Sequence, residues 1–266
     1  MPKLSHEKRV ELAKRLQDNQ PTQAEKDRGL PVREANTLIQ RNSFNMSLRE
    51  KKILYYCISR IKPNDQVKKR YSISARDVCI ACGIEDVSGR DYAAFKDAIR
   101  KLDKMNFDLR DSKGHIHIVH WITEVEWIPN TATVRFNFPA VLEPYLFNIA
   151  KYFTQYDFGN IAEMQSAYGI DLYRLLKSYA NIRRRKFDLD ELRERLCATS
   201  KSYEKYGIFK QKVLDPAMKD IATYSDLKAS YVEIKDGRKV IGVEFIITDI
   251  GGTAEYLERQ GMKFDD

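Results

Sequence analysis

The residues of this chain that are best suited to binding chemistry lie between positions 201 and 212, in a stretch with helical spacing. A helix advances about 100° per residue, so if Phe209 and Val213 face a core, Gln211 points away from it. A glutamine amide pairs bidentately with adenine, lysine donates to guanine or phosphate, and a helix start offers free backbone N–H groups to phosphate. This pattern predicts a helix that reads a DNA groove, the alternative being a purely solvated face. The predicted contacts here are Lys201, Lys205, Lys210, Gln211 and Lys212.

A basic hairpin is predicted directly after this helix. The segment 229–248 carries β-branched and aromatic residues on both sides of Asp236-Gly237, the dipeptide that a two-residue type I′ turn prefers. Two further basic runs lie at 183–186 and at 68–70. The other predicted DNA contacts are Arg183, Arg184, Lys235, Arg238, Lys239, Lys68, Lys69 and Arg70.

The overall composition agrees with a polyanionic partner. The 266 residues carry 46 Lys and Arg against 38 Asp and Glu, a formal net charge of +8 with a pI near 9.1. No apolar run approaches the ~20 residues of a membrane helix, and the first residues lack the apolar core of a secretory signal. The four cysteines lie in apolar, periodic surroundings, so we expect reduced thiols and a cytoplasmic protein with no membrane partner.

The length is enough for two domains at roughly 150 residues each. The predicted divisions are a mobile N-terminal extension at 1–34 with a short helix at 7–17, a first domain at 35–138, a packed connection at 139–159, a second domain at 160–250 and a tail at 251–266. Residues 37–40, TLIQ, are predicted to form a short strand. Pro216 predicts a kink or restart of the helix near Asp215, because proline has no N–H to donate within a helix.

The two halves repeat the same plan when one is shifted by 114 residues. Tyr92, Phe95, Lys96 and Ile99 then fall on Tyr206, Phe209, Lys210 and Val213. This predicts an α+β protein with two tandem winged-helix domains related by internal duplication. Asp97 takes the outward position of Gln211, and a carboxylate there repels phosphate. We therefore expect the second copy to read DNA and the first to self-associate or to contact the DNA backbone.

Two patterns resemble catalytic or metal sites. Cys79 and Cys82 have C-x-x-C spacing, but no second pair accompanies them, and two buried thiols are the better interpretation. His115 and His117 share one strand face, as in rolling-circle nickases, and Tyr152 or Tyr156 would then be the nucleophile. No phosphate-binding loop or hydrolase signature is present. We predict a protein that is not an enzyme and that has no cofactor or metal.

Several longer motifs resemble the plasmid replication initiator (Rep) family with tandem winged helices. They are NTLIQRNSFNMSLREKKILYYCISRI in the first half, and YGIDLYRLLKSYAN, FDLDELRERL, FKQKVLDPAMKDI and KDGRKV in the second. The resemblance runs from about residue 36 to 248, most of the chain.

The resemblance implies an initiator that binds repeated origin sequences (iterons) in double-stranded DNA as a monomer and represses its own promoter as a homodimer. It also implies host DnaA and replicative helicase as partners, the first domain as dimer interface and the second as major-groove reader. The groove contacts carry over to Lys205, Lys210, Gln211 and Lys212, where family members often have arginine. A winged-helix repressor without an initiation role is the alternative, followed by a metal-dependent nickase.

Overall fold

The structure is a computed structural model that describes residues 22–41, 44–84, 86–110 and 114–250. The predicted helix at 7–17, with the rest of 1–21, and the predicted tail at 251–266 lie outside these residues. Within the described ranges, no helix combines the length and the apolar character that crossing a bilayer requires.

The first half forms a winged-helix unit. Its elements are α1 (Gln23–Arg28), β1 (Pro31–Ala35), α2 (Asn36–Arg41), α3 (Leu48–Ser59), β2 (Tyr71–Ser74), α4 (Ala75–Ala81), α5 (Gly89–Lys104), β3 (Asn106–Arg110), β4 (Ile116–His120), β5 (Thr123–Trp127) and β6 (Thr133–Asn137). Ser47 caps α3 and exchanges hydrogen bonds with Glu50, in a capping box with the S-x-x-E spacing. Ser74 caps α4 by accepting from the backbone N–H of Asp77.

The remainder of the chain forms the connection and the second winged-helix unit. Its elements are a 3₁₀ turn (Ala140–Leu142), α6 (Glu143–Leu146), β7 (Phe153–Asp157), α7 (Gly159–Ala162), α8 (Ala167–Lys177), β8 (Arg184–Asp188), α9 (Leu189–Arg195), a second 3₁₀ turn (Lys201–Glu204), α10 (Tyr206–Phe209), a π-helical turn (Lys210–Leu214), α11 (Asp215–Tyr224), β9 (Leu227–Asp236) and β10 (Lys239–Asp249). The last three helical pieces are continuous, and we call residues 206–224 the long helix. We call the β9–β10 hairpin the wing. The predicted α+β fold with two winged helices is confirmed.

Each unit carries a three-stranded antiparallel sheet, in the order β2-β6-β5 in the first and β8-β10-β9 in the second. Apolar partners face the core in both, as in the pairs Ile73–Val134 and Phe187–Val243. The wing closes through Gly237 and Arg238, one residue later than predicted, because Asp236 pairs with Lys239. Gly237 alone of the two has a positive φ, of 56°, which fits a type II′ turn instead of type I′.

The predicted N-terminal extension is wrong for residues 22–34, which pack against the first unit. Strand β1 pairs with β7 along its whole length, and Val32 is fully buried. Asp27 accepts a hydrogen bond of 2.6 Å from the Tyr56 hydroxyl and pairs with Arg60 at 2.8 Å. The sequence pattern missed this packing because much of what the segment buries is polar, and its partners lie far away along the chain.

The predicted strand at 37–40 is also wrong, since these residues belong to α2. Leu38 and Ile39 are consecutive and both buried, which a strand with one solvent face does not allow. Helix α2 packs beside α8, and the Gln40 amide donates to the hydroxyl of Ser178, the residue after α8.

Buried ion pairs join the two units through α8. Arg174 donates from Nε to Oε2 of Glu34 at 2.9 Å, and Lys51 contacts Asp171 at 2.9 Å. Burial by itself lowers the pKa of Arg174, but the Glu34 carboxylate, together with Tyr55 and Tyr156, outweighs burial and holds that pKa well above its ordinary value. The four charges are compensated in pairs, so the units pack across a polar interface that excludes most water.

Candidate nucleic-acid interface

The internal duplication predicted by the 114-residue shift is visible in the structure up to the start of the long helix. Helices α4 and α9 have the same length and lie 114 residues apart, each followed at once by its C-cap, Cys82 or Leu196. Phe95 and Phe209 are buried at equivalent places in the next helix. The residues that the two halves share in sequence therefore occupy equivalent positions in the two folded units.

The two copies differ by one residue inside that helix. In α5 the buried positions after Phe95 begin with Ala98 and Ile99, whereas after Phe209 they begin with Val213 and Leu214. Two residues thus separate the buried positions in the first copy, and three separate them in the second. The predicted alignment of Ile99 with Val213 needs this correction, because the shift becomes 115 beyond that point.

A π-helical turn accommodates the extra residue. The backbone N–H of Asp215 donates to the carbonyl of Lys210, five residues back, instead of four. Pro216 follows at the start of α11, where its missing N–H disturbs the ladder least. The predicted restart near Asp215 is confirmed. Its consequence is that three residues, Lys210 to Lys212, separate the buried positions of the long helix, where the first copy has only Lys96 and Asp97.

The exposed face of the long helix carries the predicted polar and basic side chains. Gln211 and Lys212 are exposed, as are Lys205 at the N-cap and Lys201 in the preceding turn. None of these three lysines has an ion pair within the described part of the chain. Asp97 is likewise exposed in the first copy, and the nearest cation, Arg100, lies 3.9 Å away. The predicted difference in charge between the exposed faces of the long helix and of α5 is therefore present.

Lys210 departs from its predicted outward position because it is bound to the wing. Its Nζ donates to the Tyr231 hydroxyl at 2.9 Å and lies 5.1 Å from the centre of that ring. Its pKa is raised, first by that hydrogen bond. The first copy repeats the arrangement, since Nζ of Lys96 lies 5.6 Å from the centre of the Trp127 ring. Both copies therefore share a contact between a helix lysine and an aromatic ring of the sheet, from α5 to β5 in the first copy and from the long helix to β9 in the second.

A carboxylate, Glu233, lies in the groove between the long helix and the wing. The Tyr206 hydroxyl donates to its Oε1 at 2.8 Å, and this hydrogen bond is the first cause of the lowered pKa of Glu233. Nζ of Lys235 lies 3.2 Å from its Oε2, and Nζ of Lys210 lies 3.7 Å from its Oε1. No local pattern in the sequence indicates Glu233, because only the folded hairpin brings β9 beside the helix.

Arg193 fixes the turn that leads into the long helix. Its guanidinium donates to the carbonyls of Tyr203 and Glu204, at 2.9 and 3.0 Å, and to Asp190 at 2.7 Å. It also lies 5.3 Å from the centre of the Phe209 ring. The sequence shows only an arginine on α9, and the fold is needed to bring it to the following turn.

The wing tip supplies the second basic surface of the candidate interface. Lys235, Arg238 and Lys239 are all exposed there. Between the tip and the long helix runs an open groove of about 680 Å³, lined by Lys210, Tyr231 and Glu233 among others. Two of the predicted contacts, Lys210 of the long helix and Lys235 of the wing, line this groove.

The run 183–186 lies away from this surface. Arg184 pairs with Ile246, seven residues along β10 from Lys239 at the tip, or about 23 Å at ~3.3 Å per residue. Strand β8 is an edge strand of its sheet, and basic side chains there also discourage edge-to-edge pairing. Arg183 and Arg184 are exposed, but the fold does not bring them to the helix face.

The basic run 68–70 precedes β2 in the first unit. Lys68 is exposed, whereas Lys69 pairs with Asp65 at 2.8 Å and Arg70 approaches Glu126 at 3.3 Å. Two of its three charges are therefore partly neutralised within the protein.

Within the described residues, the fold does not assemble the nickase pattern or the zinc pattern into a site. His115 and His117 are exposed beside one another, with ring centroids 6.5 Å apart. Tyr156 is buried and donates to Glu34, while Tyr152 is 82% exposed on the connection. Burial raises the pKa of the Cys82 thiol to about 11. Across the described ranges, no three histidine, cysteine or acidic side chains come close enough to hold a metal ion.

Comparisons with known proteins agree with this architecture. Residues 31–177 match the profile of a family described as "Initiator Replication protein, WH1", and residues 188–247 match "Initiator Rep protein, WH2". The crystal structure of Pi initiator protein in complex with iteron DNA has a TM-score of 0.69 at 20% identity, over 84% of this chain and 98% of that one. A structure of domains 2 and 3 of RctB has a TM-score of 0.43 at 12% identity, over 76% and 81%.

Proposed function

The chain belongs to the family of initiator replication proteins, and on that premise we propose that it binds repeated origin sequences in double-stranded DNA to start plasmid replication. The observation that carries the DNA-binding mode is the exposed edge of Gln211 and Lys212, with Lys205 before it, on a helix whose Lys210 lines a groove together with Lys235 of the basic wing. The long helix enters the major groove and the wing follows the neighbouring phosphates. Lys210 binds the wing through Tyr231 and adds a positive charge to the groove beside the helix.

The charge difference between the copies supports a division of labour. The extra outward residue produced by the π-helical turn gives the second copy three polar or basic positions, whereas the first copy has Asp97 in its shorter edge. Backbone contacts of the first unit come from Lys68, with Lys69 and Arg70 after they release their carboxylates. Arg183 and Arg184 contact only DNA that extends past the wing.

The homodimer that represses the promoter forms through the first unit. Strand β4 pairs with β3 on one side, and its outward face exposes Ile116 by 51% and Ile118 by 72%. Two apolar β-branched side chains on a short ribbon supply a surface that a second copy covers, in exchange with the monomer. Ile118→Lys is expected to shift the protein to monomer in sedimentation analysis. Lys228→Glu, a change on the sheet of the second unit, is expected to leave the distribution unchanged.

Binding is tested by selecting duplexes from a random library with the full chain, and then by titrating the selected duplex and a shuffled one. The triple change Lys205→Ala, Gln211→Ala and Lys212→Ala is expected to abolish preference for the selected duplex. Lys104→Ala, at the end of α5, is the matched control. Retained preference in the triple variant would refute the helix assignment.

Initiation and repression are separated on DNA. With a supercoiled plasmid that carries the selected sequence as direct repeats beside an AT-rich stretch, permanganate reactivity of that stretch is expected to rise when protein is added. An unreactive stretch despite full occupancy would favour a plain repressor. DnaA and replicative helicase are the host partners to add next. We propose no catalytic step, so Mn²⁺ is expected to produce no nicked product.

A further inference from the structure

The groove between the long helix and the wing contains a negative charge at the centre of a surface proposed to bind a polyanion. Glu233 extends from β9, and its side chain keeps 26% of its exposure. Tyr206, Lys210 and Lys235 surround it within 4 Å. A carboxylate at this place opposes phosphate binding, so it calls for an explanation beyond affinity.

The neighbours of Glu233 show what its charge does in the free protein. Lys235 lies 3.2 Å from its Oε2, and Lys210 lies 3.7 Å from its Oε1 while donating to the Tyr231 hydroxyl. The lowered pKa of Glu233 keeps it ionised at neutral pH, so both ammonium groups have a partner inside the protein. By contrast, Lys205 and Lys212 have no ion pair within the described residues.

We propose that Glu233 is a specificity-determining residue that withholds Lys210 and Lys235 from the phosphates of non-target DNA. The inference rests on the proposed function. A phosphate that recruits either lysine must break an existing pair and approach a carboxylate. On the target sequence the carboxylate itself accepts from the amino group of a cytosine, which offsets that cost. On any other duplex nothing offsets it, and discrimination by a repulsive group follows.

A substitution that removes the charge but keeps the geometry tests this role. Glu233→Gln retains an oxygen that accepts from Tyr206, so the wing stays docked on the helix. Glu244→Gln is the matched control, because Glu244 pairs with Val232, the neighbour of Glu233, and so lies on the opposite face of the same sheet, 3.9 Å from Arg184. Both variants remove one negative charge.

Fluorescence anisotropy titrations of the selected and shuffled duplexes, over a range of KCl concentrations, supply the readout. Glu233→Gln is expected to bind the shuffled duplex about fivefold more tightly. Its log Kd against log[KCl] slope on that duplex steepens by about 0.9 for each additional phosphate neutralised. Affinity for the selected duplex changes less, so the ratio of the two affinities falls. Glu244→Gln is expected to keep the wild-type ratio and slope.

Failure of this inference is distinguishable from failure of the proposed function. If wild-type protein prefers no duplex at all, the DNA-reading function itself is refuted. If wild-type protein discriminates and Glu233→Gln keeps the same ratio, or changes it no more than Glu244→Gln does, the role of Glu233 is refuted. A Glu233→Gln variant that loses affinity for both duplexes alike also overturns it, and assigns Glu233 to wing docking alone.

Discussion

Tyr206 donates a hydrogen bond of 2.8 Å to Glu233, and this contact joins the first turn of the long helix to the first strand of the wing. Burial and this bond together hold the pKa of Tyr206 well above its ordinary range, so the phenol remains a donor at every physiological pH. The relative placement of helix edge and wing tip depends on such contacts.

Tyr206→Phe removes the hydroxyl while preserving the ring that packs on the core. One net hydrogen bond is worth about 1 kcal/mol, so a small loss of unfolding free energy is expected in urea titrations. Preference for the selected duplex falls because the wing is less firmly held. Tyr92→Phe, the equivalent change in the first copy, is expected to leave DNA preference intact. Equal effects of the two changes would contradict the prediction.

Arg193→Lys keeps a positive charge on α9 but cannot bind two backbone carbonyls in the planar geometry of guanidinium. The turn before the long helix then loses the hydrogen bonds that Arg193 donates to the carbonyls of Tyr203 and Glu204. Affinity for the selected duplex is expected to fall about tenfold, corresponding to ~1.4 kcal/mol. Arg195→Lys, two residues later on the same helix, is the control. Circular dichroism establishes that both variants are folded, and an unchanged affinity for Arg193→Lys would exclude this positioning role.

Glu34→Gln leaves the buried guanidinium of Arg174 with only the more distant carboxylate of Asp171, 4.0 Å away, as a counter-charge. Breaking one partner of a buried pair costs about 3–5 kcal/mol, and this loss should appear in the midpoint of urea unfolding. Glu163→Gln breaks the exposed pair with Arg28, which spans 2.6 Å between side chains 30% and 42% exposed. That control is expected to cost less than ~1 kcal/mol. Similar losses in the two variants would show that burial does not govern the Glu34 pair.

Glu50 links the stability of the first unit to pH. Its burial opposes ionisation, but hydrogen bonds from Ser47 and Lys101 prevail, so its pKa is lowered below the ordinary 4.5. A depressed carboxyl pKa in the folded state gives stability that is fully present above pH ~4.5 and is lost as pH falls through the folded pKa. Urea midpoints measured between pH 6 and about pH 3 should therefore decline less steeply in Glu50→Gln than in wild type. Parallel declines would refute the linkage.

Local pattern was enough to predict much of this protein from its sequence. The spacing of Phe209 and Val213 oriented the long helix, Ser47 and Glu50 marked a helix start, and Pro216 marked the restart, because each effect acts within one or two turns. The resemblance to replication initiators rested on longer motifs and agrees with the family matched over 31–177 and 188–247.

Tertiary structure decided what depends on contacts between distant segments. It packed β1 onto β7, separated the run 183–186 from the wing tip, and turned Lys210 toward Tyr231. It also showed that the long helix has one more residue between its buried positions than α5 has. Which side chains the core buries sets this number, and the sequence does not give it. Glu233 became visible as part of the candidate interface only there, since strand pairing and helix packing together place a carboxylate of β9 beside Tyr206.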